Sequence, residues 1–264
     1  MSAVRGWRWT LAPLALLTAL PAAAEHITAY WQLEASAQSG PTVIAFGAPF
    51  LTQRILPVKL VKLSEAATPA GATDAVPAGT LLYLVANDAG KIGYCTLKDR
   101  KGAAKSLFIP ALDKRPCFVD RDGDGRFDAS FSVFDIYSQL SPPQPRGSID
   151  GAQAIVKAVG FEQVDVHAFP DMMTLRYALS GNREKLDKLK LKVTLDRPGR
   201  NDWVEVRGLD MAEGRLLAAL GTVILLKSID GAGVAAELRI PSPAYVHGEV
   251  NGVDFLPALP SYVR

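Results

Sequence analysis

Two cysteines, three histidines and almost no charge imbalance, 29 basic residues against 27 acidic ones, mark what this 264-residue chain has little of. Two thiols are too few for a disulfide-dense miniprotein or a four-cysteine zinc module. Balanced charge argues against a strongly basic nucleic-acid binder, and a composition that is 48% hydrophobic and 21% charged argues against a disordered or collagen-like chain. The short catalytic signatures are absent too: no G-x-S-x-G elbow, no H-E-x-x-H pair, and no Walker or G-x-G-x-x-G loop. Their absence leans away from an enzyme, although triads assembled from distant residues leave no such trace. The length suits one large domain or two small ones, and either can bury a sizeable core.

No apolar run reaches the ~20 residues that a membrane-spanning helix needs. The first one, Leu11 to Leu20, follows Arg5 and Arg8 and precedes Pro21, Ala22, Ala23 and Ala24. That order of charged, apolar and small residues predicts a secretory signal peptide over 1–24, cut between Ala24 and Glu25. A periplasmic or secreted protein with no transmembrane span after cleavage is the expectation. Arg5 and Arg8 are also the whole excess of basic over acidic residues, so the chain from Glu25 onward is formally neutral. A neutral chain has no overall field to draw it to nucleic acid. The partner expected is instead an envelope protein or a glycan.

The remainder reads as mainly β, an antiparallel sandwich or barrel-like arrangement with few short helices. In Lys188 to Leu195, Leu189, Leu191, Val193 and Leu195 alternate with Lys188, Lys190, Lys192 and Thr194, the period of a half-buried strand. Further strands are expected at Thr42 to Phe46, Ile55 to Leu63, Thr80 to Ala86, Lys91 to Leu97, Phe127 to Phe134, Glu162 to Phe169, Met172 to Leu179, Trp203 to Val206 and Val234 to Ile240. Asp88-Ala89-Gly90 and Asp230-Gly231 suit hairpin turns. Two stretches carry helix signals: Asp210 to Leu220, stopped by Gly221, and Ser148 or Asp150 to Val159, stopped by Gly160. Ser64 to Gly79 is poor in large apolar residues and reads as an exposed loop, and Ser141 to Gly147 carries Pro142, Pro143 and Pro145. That proline segment divides a β domain at 25–140 from a second β-rich part at 148–264, unless the two form one continuous domain.

The chemistry of the sequence is concentrated in CFVDRDGDGRFD, which starts at Cys117. Asp120, Asp122 and Asp124 alternate, Gly125 follows, and Asp128 stands four residues beyond Asp124. Calcium takes six to eight oxygen ligands, which a tight loop supplies from alternating carboxylates around a glycine turn. Asp120, Asp122, Asp124 and Asp128 match positions one, three, five and nine of such a loop, with the Arg126 carbonyl at seven and Phe127 turned inward at eight. Arg121 and Arg126 offset only half of the carboxylate charge, and a divalent cation would relieve the rest. The segment resembles the calcium loop of the EF-hand family and the dockerin-like and thrombospondin type 3-like acidic repeats of bacterial exported proteins. The resemblance implies Ca2+ coordination by these aspartates. It departs at the twelfth position, where Phe131 stands in place of the bidentate glutamate, and strands rather than helices flank the loop. A static structural site is therefore expected rather than a helix-opening switch.

Cys95 and Cys117 are expected to pair in an oxidising compartment, and closing a loop of about 23 residues stabilises by about 3 kcal/mol in the chain-entropy model. His167 shares an expected strand face with Asp165, and His247 one with Tyr245 and Glu249. Arg183 to Arg200 forms a basic stretch whose strand presents Lys188, Lys190 and Lys192 in a row. Such a row suits an anionic lipid, a polysaccharide or a protein partner, and equally guards an edge strand. Trp31, Trp203 and Tyr30 are candidate stacking platforms or core residues. The functional expectation is an exported cell-envelope protein with a structural calcium loop and a binding or structural role; the alternative is a periplasmic hydrolase with dispersed catalytic residues.

Overall fold

Alternating apolar and polar residues become strands along most of the chain. In the computed structural model of the protein, residues 25–97, 114–136, 140, 142–170, 173–197, 200–249 and 252–264 are described. The segment 1–24, where the signal peptide is expected, lies outside them. Before the proline segment the strands are β1 (Ile27–Ala35), β2 (Gly40–Ile44), β3 (Leu51–Pro57), β4 (Leu60–Leu63), β5 (Leu81–Asn87), β6 (Ile92–Thr96), β7 (Arg115–Val119) and β8 (Arg126–Ile136). Then come β9 (Gln144–Arg146), β10 (Gln153–Val164), β11 (Met173–Gly181), β12 (Leu189–Arg197), β13 (Arg200–Arg207) and β14 (Leu209–Met211). The last are β15 (Gly214–Ala219), β16 (Thr222–Asp230), β17 (Gly233–Arg239), β18 (Ala244–Glu249) and β19 (Gly252–Leu256). The helical content among the described residues is two single 3-10 turns, Val166–Ala168 and Leu186–Lys188.

Six strands close into an antiparallel barrel in the order β4, β5, β6, β7, β8, β10, with β10 returning to β4. Its interior is solid. Phe127 stacks on Phe161 with ring centroids 4.2 Å apart and packs with Phe118 and Tyr94 at 5.6 Å, among Val61, Leu63, Leu82 and Leu84. Eight strands or fewer leave room for side chains and little else, so this barrel is a core rather than a channel. β1 ties it to a second sheet: Ile27 to Ala29 pair with β5, while Trp31 to Ala35 pair with β3. That sheet runs β13, β12, β11, β3, β1, β18, β19. A third, β14, β15, β16, β17, β2, packs against it, so that Leu217, Ile224 and Leu226 share one apolar cluster with Leu175, Tyr177, Leu191 and Val193.

Strands on either side of the proline segment pair with one another: β2 with β17, β3 with β11, β1 with β18, and β4 with β10. The sheets therefore interleave across 141–147, and Gln144–Arg146 itself pairs with β8.

Both helix expectations are corrected. Leu209 to Glu213 are exposed, burial alternates with a period of two over Gly214 to Ala218, with Arg215 and Leu217 turned in and Leu216 and Ala218 turned out, and Asp210 pairs with Arg215 across the β14–β15 hairpin. Gly221 is no helix stop. Leu220 and Gly221 have φ of 48° and 78°, the pair of positive values that closes a two-residue hairpin between β15 and β16. Ser148 does make a local cap, its Oγ accepting the Gly151 N–H at 2.9 Å, and Ala152 N–H donates to Ile149. That single turn ends there, because β8 and β4 claim the backbone of β10. Two strand expectations are also cut short: Ile55 to Leu63 breaks between β3 and β4, and Glu162 to Phe169 ends at Val164, before the 3-10 turn.

Candidate metal centre at the acidic hairpin

Residues 120–125 connect β7 to β8 at one end of the barrel. Phe127, fully buried as the first inward residue of β8, anchors one side of the turn, and Val119, paired with Ala129, anchors the other. Between them the chain reverses through Gly123 and Gly125, with φ of 76° and 82°, values that residues with a side chain rarely adopt. The aspartates fold back onto their own backbone. Asp120 accepts the N–H of Gly123 at 2.8 Å on Oδ1 and that of Gly125 at 2.9 Å on Oδ2, and Asp124 accepts the Arg126 N–H at 2.8 Å. Asp122 accepts the N–H of Asp124 at 3.3 Å. One oxygen from each of Asp120, Asp122 and Asp124 falls within 4.8 Å of the others, a spacing that a single cation can bridge.

Asp128 does not join this group. Arg121 holds it, donating from its backbone N–H at 3.0 Å to one oxygen and from Nε at 2.9 Å to the other. Partial burial would raise the Asp128 carboxyl, but the donors of Arg121 outweigh it and hold the group below the usual carboxylate range. The guanidinium of Arg126 turns away too, donating to the Ala158 carbonyl at 2.6 Å with Glu65 at 3.5 Å. Both arginines of the loop are thus directed to other partners, and the three clustered carboxylates face solvent without them. Burial pushes the Tyr94 hydroxyl inside the barrel up to about 12, and the negative charge of Asp120 adds to that effect.

Cys95 and Cys117 are bonded, as expected, directly opposite one another on β6 and β7 with Cα atoms 4.0 Å apart. The bridge lies on the outer surface of the barrel beneath the apolar cluster and ends three residues before Asp120. Beside the hairpin opens a cleft of about 430 Å3. Ile92, Val119, Ile149 and Ala152 supply its apolar walls, and Lys91, Asp120, Arg121 and Asp150 its charges. Lys91 Nζ lies 2.6 Å from Asp150, which raises the lysine pKa through that hydrogen bond and its charge. The neighbouring turn is pinned by Glu25, whose carboxylate accepts the N–H of Ile149 at 3.0 Å, the amide of Asn87 at 2.7 Å and the hydroxyl of Ser148. Nothing in the linear sequence marks Glu25, Lys91 or Asp150 as neighbours of the loop.

The other candidates disperse. His167 sits on the surface in the turn after β10, with Nδ1 2.7 Å from Asp165 and Nε2 3.1 Å from Glu34, so carboxylates occupy both ring nitrogens. His247, on β18, lies opposite Tyr30 and Asp254. Neither histidine lines the cleft. Trp31 is fully buried against Tyr83 and Phe169, and Tyr30 is buried with its hydroxyl 3.1 Å from that of Tyr262. Trp203 alone of the three is exposed. Lys190 and Lys192 share the outer face of β12, whereas Lys188 ends a 3-10 turn and pairs with Asp187.

Comparisons with protein-family models, curated proteins and solved structures find no match for the chain.

Proposed function

We propose that this is an exported, periplasmic or secreted protein in which Asp120, Asp122 and Asp124 hold a structural Ca2+, and that it serves a binding or structural role in the cell envelope. The observation that carries the calcium reading is the convergence of the three carboxylates within 4.8 Å while Arg121 and Arg126 are engaged elsewhere. Hard oxygen donors on an exposed, glycine-permitted turn suit Ca2+, with water completing the coordination, better than they suit the nitrogen and sulfur preferences of zinc. The ion would fix the end of the hairpin that the disulfide fixes from below.

Export is supported by the address-like order of residues 1–24 and by the disulfide, which persists in oxidising compartments. Among the described residues no helix is long and apolar enough to cross a membrane.

Thermal unfolding with and without added CaCl2 tests the calcium reading. A ligand at 100 times its dissociation constant stabilises by about 2.7 kcal/mol, which appears as a rise in melting temperature. The rise is expected in the wild type and absent in Asp122→Ala/Asp124→Ala. An unchanged melting temperature in the wild type removes the proposal.

A further inference from the structure

The outer face of the second sheet carries a feature that the acidic hairpin does not explain. Trp203 lies on β13, which among the described residues is an edge strand paired with β12 alone, and is 53% exposed. It is the one exposed Trp, Tyr or Phe among the described residues. Leaving an indole in water forgoes the burial that a core position would give it, so its exposure needs another occupant or another reason.

The surroundings of Trp203 indicate what that occupant is. Lys192 places its ammonium 4.9 Å from the centre of the indole ring, a cation–π contact that braces the side chain. The pairing register sets Trp203 beside Thr194, and Thr194 beside Arg176 on β11. Trp203 and Arg176 are thus two strand spacings, roughly 10 Å, apart on one rigid face. Lys190 and Arg207 form the far end of the same surface. Two acids answer these four cations: Asp196, 2.9 Å from Arg176, and Glu205, 2.9 Å from Lys190. The face therefore keeps a net positive charge, although the chain from Glu25 onward is neutral.

A lipid surface would be met by a cluster of aliphatic side chains, and a single strand of nucleic acid by several aromatic platforms in succession. Here one indole shares its sheet face with the hydroxyls of Thr174 and Thr194 and the amide of Asn201. A planar indole, flanking hydrogen-bonding groups and two reachable cations match a chain of sugar rings bearing acidic groups. Such a ring offers an apolar face to stack, hydroxyls to hydrogen-bond and an anion to pair.

We infer that the β11–β12–β13 face binds an acidic polysaccharide, with Trp203 stacking on a sugar ring and Lys192 and Arg176 pairing with its carboxylate or sulfate groups. This site is remote in the fold from the acidic hairpin and does not rest on the calcium reading.

Titration calorimetry of the purified protein, in EDTA so that calcium plays no part, tests it with polygalacturonate and heparin as carboxylated and sulfated probes. Dextran and phosphatidylglycerol vesicles serve as a neutral glycan and an anionic membrane. Binding of at least one acidic probe is expected, weakened by salt and reduced about tenfold in Trp203→Ala. Arg176→Gln should weaken it too, while both variants melt within a few degrees of the wild type, since each side chain is on the surface. Failure of both acidic probes overturns the inference. So does undiminished binding in both variants, equal binding of dextran, or preferential binding of the vesicles.

Discussion

Arg121 and Asp128 are bound to each other across the acidic turn, through two hydrogen bonds of 3.0 and 2.9 Å, so that the carboxylate at the ninth position of the loop is taken by the arginine at the second. The loop thereby leaves three carboxylates clustered and uses the fourth as a strut between its two ends.

Replacing Arg121 by glutamine separates these roles. The lost ion pair is half exposed on the arginine side, and pairs of that kind contribute about 0–1 kcal/mol, so the calcium-free protein should lose little stability. The backbone N–H of residue 121 still reaches Asp128, but one oxygen is released and a positive charge leaves the loop. Calorimetry should then find Ca2+ bound more tightly than by the wild type. Weaker binding would mean that the Arg121 strut shapes the site instead of competing with the ion.

The bridge between Cys95 and Cys117 joins adjacent strands of a closed barrel, which hydrogen bonds already hold in register. Its stabilisation comes from shortening the unfolded chain between residues 22 apart, about 3 kcal/mol in the entropy model. The variant Cys95→Ser/Cys117→Ser should lose about that much in denaturant unfolding, with the slope against denaturant changed because the unfolded state expands. A loss near zero would show that the barrel pairing alone fixes this corner.

Legibility varied with how local each feature is. The β12 strand was readable because Leu189 to Leu195 alternates cleanly, and the turn at Gly90, φ 80°, because Asp88-Ala89-Gly90 encodes it directly. By contrast, β1 begins with five consecutive buried residues, Ile27 to Trp31, since one side meets the barrel and the other the sandwich core, and so carries no period to detect. Closure of the barrel depends on Phe161 meeting Leu63 and Leu82 meeting Thr96, contacts between segments that local pattern cannot connect. The helix signals misled because a capping serine and a glycine stop serve tight turns equally well. At the candidate site the alternating aspartates were visible, while the arginine that claims Asp128 and the glutamate that pins the neighbouring turn came from packing.

A second ion pair lies where water cannot screen it. Arg197 and Asp202 face each other across the β12–β13 hairpin with side chains only 8% and 10% exposed, and the guanidinium donates to the carboxylate. Removing one partner of such a pair leaves the other charge desolvated, at a cost of about 3–5 kcal/mol. Asp202→Ala should lose stability in that range by urea unfolding, and Asp202→Ala/Arg197→Met should recover much of it. If the double variant is no better than the single one, the pair is holding the hairpin by more than its own charge balance.

His167 gives the protein a pH dependence with a definite sign. The hydrogen bond that its ring donates to Asp165 is the largest influence on it and that to Glu34 the next, and both raise its pKa above the ordinary histidine value. Arg54 lies 3.8 Å from the same Glu34 carboxylate. A folded-state pKa above the unfolded one means that the native protein holds the proton more tightly. The contribution to stability is complete below the unfolded histidine value of about 6.5 and fades as pH rises through the higher folded value. Because the ring is on the surface, the effect on unfolding is small, and it is better read from the ring itself. Proton NMR of the histidine Cε1–H signals should show the His167 resonance, identified by its absence in His167→Gln, titrating above about 6.5 and moved down in pH by Asp165→Asn more than by Glu34→Gln. A titration at or below the ordinary value would mean that water, and not the two carboxylates, faces the ring.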